Sequence, residues 1–141
     1  MAPGDVKRLG GDPPSPFEGQ FGFSRTVRAG PLVFIGGTTS IDRHGMVQGE
    51  TPYEQAKVIF ERLGHELGRA GASLAEVIQT RIYVTEISRA EEVGRAHAEA
   101  LGETKPLMTM VEVSALIDPR MLVEVEAIAW AARESNPDLG A

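Results

Sequence analysis

Three features of this 141-residue chain predict a two-layer α/β (α+β) domain with one mixed sheet of about six strands and two helices on one face. Short β-branched and aromatic runs alternate with two longer segments of helical period, in the order ββαβαββ. Both helical segments open on a capping signature. The last two strand-like runs are apolar along one side, which calls for a covering layer.

Residues 1–20 are rich in glycine and proline and read as a largely irregular arm, within which Val6–Leu9 is placed to pair as a short edge strand. Phe21–Arg28 alternates, with Phe21, Phe23, Arg25 and Val27 on one face. Ala29-Gly30-Pro31 makes a turn into a second strand, Leu32–Gly37, and the pair reads as a hairpin. Asp42-Arg43-His44-Gly45 is another turn. Thr51-Pro52-Tyr53-Glu54 then signals a helix: Thr51 as cap, Pro52 at the first helical position and Glu54 three residues after the cap. Ala56, Ile59, Leu63, Leu67 and Ala70 follow at helical spacing, and Gly71 ends the segment. Val77–Thr85 is strand-like, Ser88-Arg89-Ala90-Glu91 repeats the capping signature for a helix to about Leu101, and Leu107–Val113 and Met121–Trp130 are the closing strands. The domain is expected over 21–131, with a frayed tail over 132–141.

Alternation in the closing strands assigns Leu107, Thr109, Val111 and Val113 to the helix side, with Met121, Val123, Val125, Ala127 and Ala129. The opposite side carries Met108, Met110, Glu112, Leu122, Glu124, Glu126, Ile128 and Trp130. Large apolar groups on a face with no third layer mark an association surface, so an oligomer is expected; a partly wetted sheet face is the alternative.

Composition narrows the function. There is no cysteine, which excludes disulfides, thiolate metal sites and a cysteine nucleophile, and a reducing cytoplasmic setting is expected. The formal net charge is −6 and no basic run is present, which argues against a nucleic-acid partner. No apolar stretch has the length of a membrane span. The three histidines, His44, His65 and His97, lack metal-ligand spacing, so no metal is expected.

Several segments, in order, resemble the Rid (reactive intermediate deaminase, YjgF-like) family: Ala70-Gly71-Ala72-Ser73-Leu74-Ala75-Glu76-Val77, Ile82-Tyr83-Val84-Thr85-Glu86, Lys105-Pro106 leading into Thr109–Val113, and the final Val123-Glu124-Val125-Glu126-Ala127-Ile128-Ala129. The resemblance spans about residues 20–130. It implies a chorismate-mutase-like homotrimer with small-molecule clefts between subunits, and hydrolysis of imines and enamines without cofactor or metal. It also exposes departures. Deaminating members carry an arginine where this chain has Met108; the usual tyrosine is Phe23, the usual small hydroxyl residue is Gly36, the second-helix asparagine falls at about Gly94, and Met110 replaces a small polar or thiol residue. Only the last-strand glutamate persists, as Glu124.

Glu124 is therefore the candidate catalytic residue, for acid–base work; an ion pair across a subunit boundary is its other reading. Phe23, Arg25, Gly36, Met108 and Met110 are the candidate substrate-binding residues, with Arg25 as replacement cation and Arg81 as fallback. His97 reads as a partly buried packing residue. The leading expectation is a diverged Rid-family enzyme acting hydrolytically or tautomerically on a small imine, enamine or related metabolite. The alternative is a non-catalytic trimer that binds a small molecule or a partner.

Overall fold

In the computed structural model, which describes residues 5–132, the chain runs through β1 (Val6–Leu9), α1 (Phe17–Phe21), β2 (Thr26–Ala29), β3 (Leu32–Thr38), α2 (Pro52–Arg69), β4 (Val77–Val84), α3 (Ala90–Leu101), β5 (Leu107–Glu112) and β6 (Val123–Trp130). The six strands form one mixed sheet in the order β1-β2-β3-β6-β4-β5. Only β4 and β5 pair in parallel; every other neighbour is antiparallel. The predicted mixed six-stranded sheet is the one observed, with α1 added to the two expected helices. The tail expected over 132–141 lies, beyond residue 132, outside the described residues.

The core forms where the helices' apolar stripes meet the inward side chains of the sheet. On β6, Val123, Val125, Ala127 and Ala129 are all at most 2% exposed, and Ile59, Leu63 and Leu67 of α2 and Val93 and Ala96 of α3 close over the same layer. Each fully buried valine or leucine contributes about 1.5–3 kcal/mol, so this shared layer fixes the sheet's orientation. Helix α2 starts as its sequence dictates: Thr51 Oγ1 accepts from the Glu54 N–H at 3.1 Å, with Pro52 in the first turn.

One buried polar side chain joins the layers. Gln55, 1% exposed, donates through Nε2 to the carbonyls of Gly49 and Arg120, and its Oε1 accepts from Leu122 N–H. Replacing it by leucine strands these backbone groups. Gln55→Leu is expected to lower stability by about 3 kcal/mol, read as a shift of the urea midpoint at unchanged slope.

The structure corrects the sequence reading in three places. Phe21–Arg28 is not a continuous strand: Phe21 ends α1, and β2 begins at Thr26. Val6–Leu9 does form the expected edge strand, β1, paired with β2, and α1 takes up residues 17–20 of the arm expected to be irregular. Ser88 does not cap α3; a 3₁₀ turn over Ile87–Arg89 leads into the helix, and the Ser88 hydroxyl donates to Glu86. The faces of β5 are reversed. Met108 and Met110 register with Thr80 and Ile82, both buried on the helix side, and Met110 packs against the core. Leu107, Thr109 and Val111 register with Gln79, Arg81 and Tyr83 on the open side.

Candidate functional site

The site starts with a buried carboxylate that sequence reasoning missed. Glu18 of α1 accepts from Gly11 N–H at 2.8 Å and from Ser15 N–H at 2.7 Å, folding residues 11–18 into a tight bend. Its Oε2 lies 3.7 Å from Arg25 Nη2. Gly22, at φ 73°, ends the helix in the left-handed region that a glycine adopts without steric cost. The chain then turns back through Phe23 and Ser24, and the Arg25 N–H donates to Leu9 C=O.

Arg25 is anchored rather than loose. Its Nη1 donates to the Gly37 carbonyl and to Thr38 Oγ1, and its guanidinium carbon lies 5.9 Å from the centre of the Phe23 ring. The side chain is 11% exposed. This places a fixed cation at the end of β3, beside a register shift between Ile35 and Thr38.

Glu124 meets it from β6. It stands opposite Tyr83 of β4 on the open side of the sheet, and its carboxyl group occupies the space that a Cβ on Gly37 would need. Close approach of this carboxylate to the β3 backbone thus requires glycine at position 37. Gly36, by contrast, has ordinary room for a Cβ. Burial pushes the Glu124 carboxyl above the usual carboxylate range; Arg25 pulls it back down, and Glu126 pushes it further up. Glu126 is itself engaged by the Tyr83 hydroxyl, which that hydrogen bond pushes above the usual phenol range.

Arg25 and Glu124 face a cleft of about 260 Å³ whose walls include Phe17, Phe21, Phe23 and Ile117. Of the residues singled out from sequence, Phe23, Arg25 and Glu124 converge here. Gly36 lies off this cleft, on a second depression of about 410 Å³ over the open sheet, together with Arg81. Arg81 stands opposite Glu126. Met108 and Met110 do not reach the Glu124 cleft within one chain: β5 is an edge strand, separated from β6 by β4, and both methionines lie on the helix side. His97 is a packing residue, 2.9 Å from Thr80 Oγ1 and edge-on to Phe60, with burial pulling its pKa below the usual value.

Residues that the sequence reading left out are Glu18, Phe17 and Ile117, whereas the Gly36-Gly37 pair reads as permitting a close backbone approach or a bulge, and Gly37 does so here. The first two had a signal, because Ser15-Pro16-Phe17-Glu18 matches the Ser-x-x-Glu capping pattern with proline at the first helical position. Among the described residues there is no group of three or more His, Asp or Glu placed to hold a metal ion, and no helix is long and apolar enough to cross a membrane.

Known proteins share this framework. The uncharacterized protein SCO2049 of Streptomyces coelicolor is 39% identical over 117 residues, covering 82% of this chain and 87% of that protein. A RutC family protein of Pyrococcus abyssi is 33% identical over 111 residues, covering 77% and 85%. Among solved structures, Rv2704 of Mycobacterium tuberculosis, a member of the YjgF/YER057c/UK114 family, superposes with a TM-score of 0.80 at 45% identity, covering 89% of this chain and 99% of that one. RidA from an Antarctic Psychrobacter superposes with a TM-score of 0.72 at 28% identity, covering 77% and 88%. The family model described as Endoribonuclease L-PSP matches residues 16–131, a span that holds Glu18, Arg25 and Glu124 alike, and the chain belongs to that family, the YjgF/Rid group.

Proposed function

We propose that this protein is a cofactor-independent acid–base enzyme that hydrolyses or tautomerises a small imine, enamine or related metabolite, with Glu124 as the proton-exchanging group. One observation carries this reading. The Glu124 carboxylate is half-buried, faces the cleft and accepts no hydrogen bond from any described residue. A structural carboxylate at such a place is normally satisfied. One whose proton affinity is raised toward neutrality is suited to taking and returning a proton. The adjacent Arg25, already fixed by backbone, supplies positive charge without cost of reordering.

The working unit of this proposal is a homotrimer with the cleft at a subunit boundary. Its support is the uncovered side of the sheet, where Leu107, Val111 and Trp130 are 71%, 43% and 52% exposed. Exposed apolar area on that scale favours association. In such an assembly, Met108 on a neighbour's edge strand is available to the cleft that it cannot reach in its own chain. Light scattering is expected to return the trimer mass at micromolar concentration. Val111→Lys is expected to shift that mass toward monomer, because assembly would bury an unpaired ammonium; Met110→Lys is instead expected to lower stability, since Met110 packs on the core.

Activity is tested on imines and enamines generated in situ from amino acids, following keto-acid and ammonia release and the loss of enamine absorbance. Acceleration by the parent protein that disappears in Glu124→Gln supports the proposal. Decay at the spontaneous rate with both proteins overturns it and leaves the non-catalytic binding module. The acidic balance of the chain gives no support to a phosphate-backbone substrate.

A further inference from the structure

The cleft walls contain more aromatic surface than the fold explains. Phe17 and Phe21, one helical turn apart on α1, stack with ring centres 5.6 Å apart and planes within 5°. Phe21 is nevertheless 54% exposed, Phe23 43% and Ile117 56%. Each contacts the cleft that holds Arg25 and Glu124. These rings contribute little to the core: neither Phe21 nor Phe23 belongs to its buried cluster or to the residues packed on it. The short helix that carries two of them is nonetheless fixed by the buried Glu18 and its two backbone hydrogen bonds. A rigidly held, outward-facing aromatic wall beside a charged base is the arrangement that binds a flat apolar group with its polar end directed inward.

We propose that the cleft selects a small 2-oxo, 2-imino or enamine compound bearing an aromatic or other planar unsaturated side chain. That side chain packs on Phe21 and Phe23, and the carbonyl or imine end lies at Arg25 and Glu124. This rests on the site of the preceding section but concerns recognition rather than turnover. The volume of about 260 Å³ sits just below the range that encloses drug-sized ligands, which fits one ring with a short polar stem. The cation–π contact between Arg25 and Phe23 links the two ends of the site. It also explains why the position two residues before the cation is aromatic without a hydroxyl: the ring meets an apolar body.

The experiment compares phenylpyruvate with 2-oxobutanoate, two probes that share a 2-oxo acid end and differ in the side chain. Each is titrated into the full-length protein by NMR, following the Phe ring protons assigned through the Phe21→Leu and Phe23→Leu variants. Phenylpyruvate is expected to bind at least about tenfold more tightly and to shift both rings. Phe21→Leu/Phe23→Leu together should reduce that preference to within about threefold, with the loss of affinity falling on phenylpyruvate far more than on 2-oxobutanoate. Equal affinities, preference for the aliphatic probe, no binding of phenylpyruvate, or unmoved ring signals (the result if a second copy covers the rings) would each overturn the proposal. Selective binding without any turnover sustains it while overturning the enzymatic reading; turnover with no aromatic preference does the reverse.

Discussion

Glu124→Gln is expected to cut turnover by about 10²–10⁴-fold, the usual weight of a positioned general acid or base, without loss of stability at pH 7. Burial is the largest influence on this carboxyl group and pushes its pKa up from the ordinary value of 4.5. A raised pKa means that the folded protein favours the protonated acid. The group therefore imposes no penalty below the unfolded value, and a growing one as pH rises toward and through the folded pKa. Glutamine resembles the protonated acid at every pH. The stability of the variant should match the parent in acid and exceed it as pH increases, with the gap levelling off once the folded carboxyl is ionised. Thermal unfolding at a series of pH values checks this. A variant that loses both activity and stability at pH 7 would show Glu124 to be a structural ion-pair partner.

The second large effect is negative. Hydrolysis of 2-iminobutanoate, generated by an amino-acid dehydratase, is expected to be at least about a hundredfold slower than with a family member bearing an arginine at the place of Met108. A planar two-pronged clamp on a carboxylate fixes orientation as well as charge, and a hydrogen-bonded charge pair lost from a buried site costs several kcal/mol. Arg25 does not stand in for that clamp, because Nη1 is committed to Gly37 and Thr38 and Nη2 faces Glu18. Keto-acid release measured side by side decides the point. Parity between the two proteins would mean that Arg25 or a neighbour's cation performs the clamp after all. Met108→Arg alone is not expected to restore the rate, since Phe23 and Gly36 also differ from the deaminating pattern.

How much of this was readable in the chain depends on what each segment packs against. The α2 start was legible because Thr51, Pro52 and Glu54 act locally, and the structure realises the cap. The faces of β6 were legible because this strand has neighbours on both sides and one fully buried side. The faces of β5 were not. An edge strand with Leu107 and Met108 before Thr109 and Met110 and Val111 after it is apolar on both sides, so alternation carries no sign; its parallel register with β4 sets the face, and register is a tertiary property. Phe21 and Phe23 imitated a strand for a related reason: they alternate, yet what places them is Glu18 closing a helix turn upstream. Arg25 and Glu124 were identifiable individually, whereas their meeting across Gly37 depends on the β3 register shift, which the Gly36-Gly37 pair permits but does not position.

The place of β6 in the sheet bears on how the protein is made. This strand is the last of the six described strands in chain order, yet it lies between β3 and β4, which are not neighbours of each other. A nascent chain emerging at about 5–20 residues per second therefore holds two incomplete half-sheets, β1-β2-β3 and β4-β5, each with an open inner edge. Neither can be zipped to the other until Val123–Trp130 arrives. Completion of the sheet must then wait until β6 has emerged, and during that interval the two unpaired edges are the surfaces that a chaperone would have to shield.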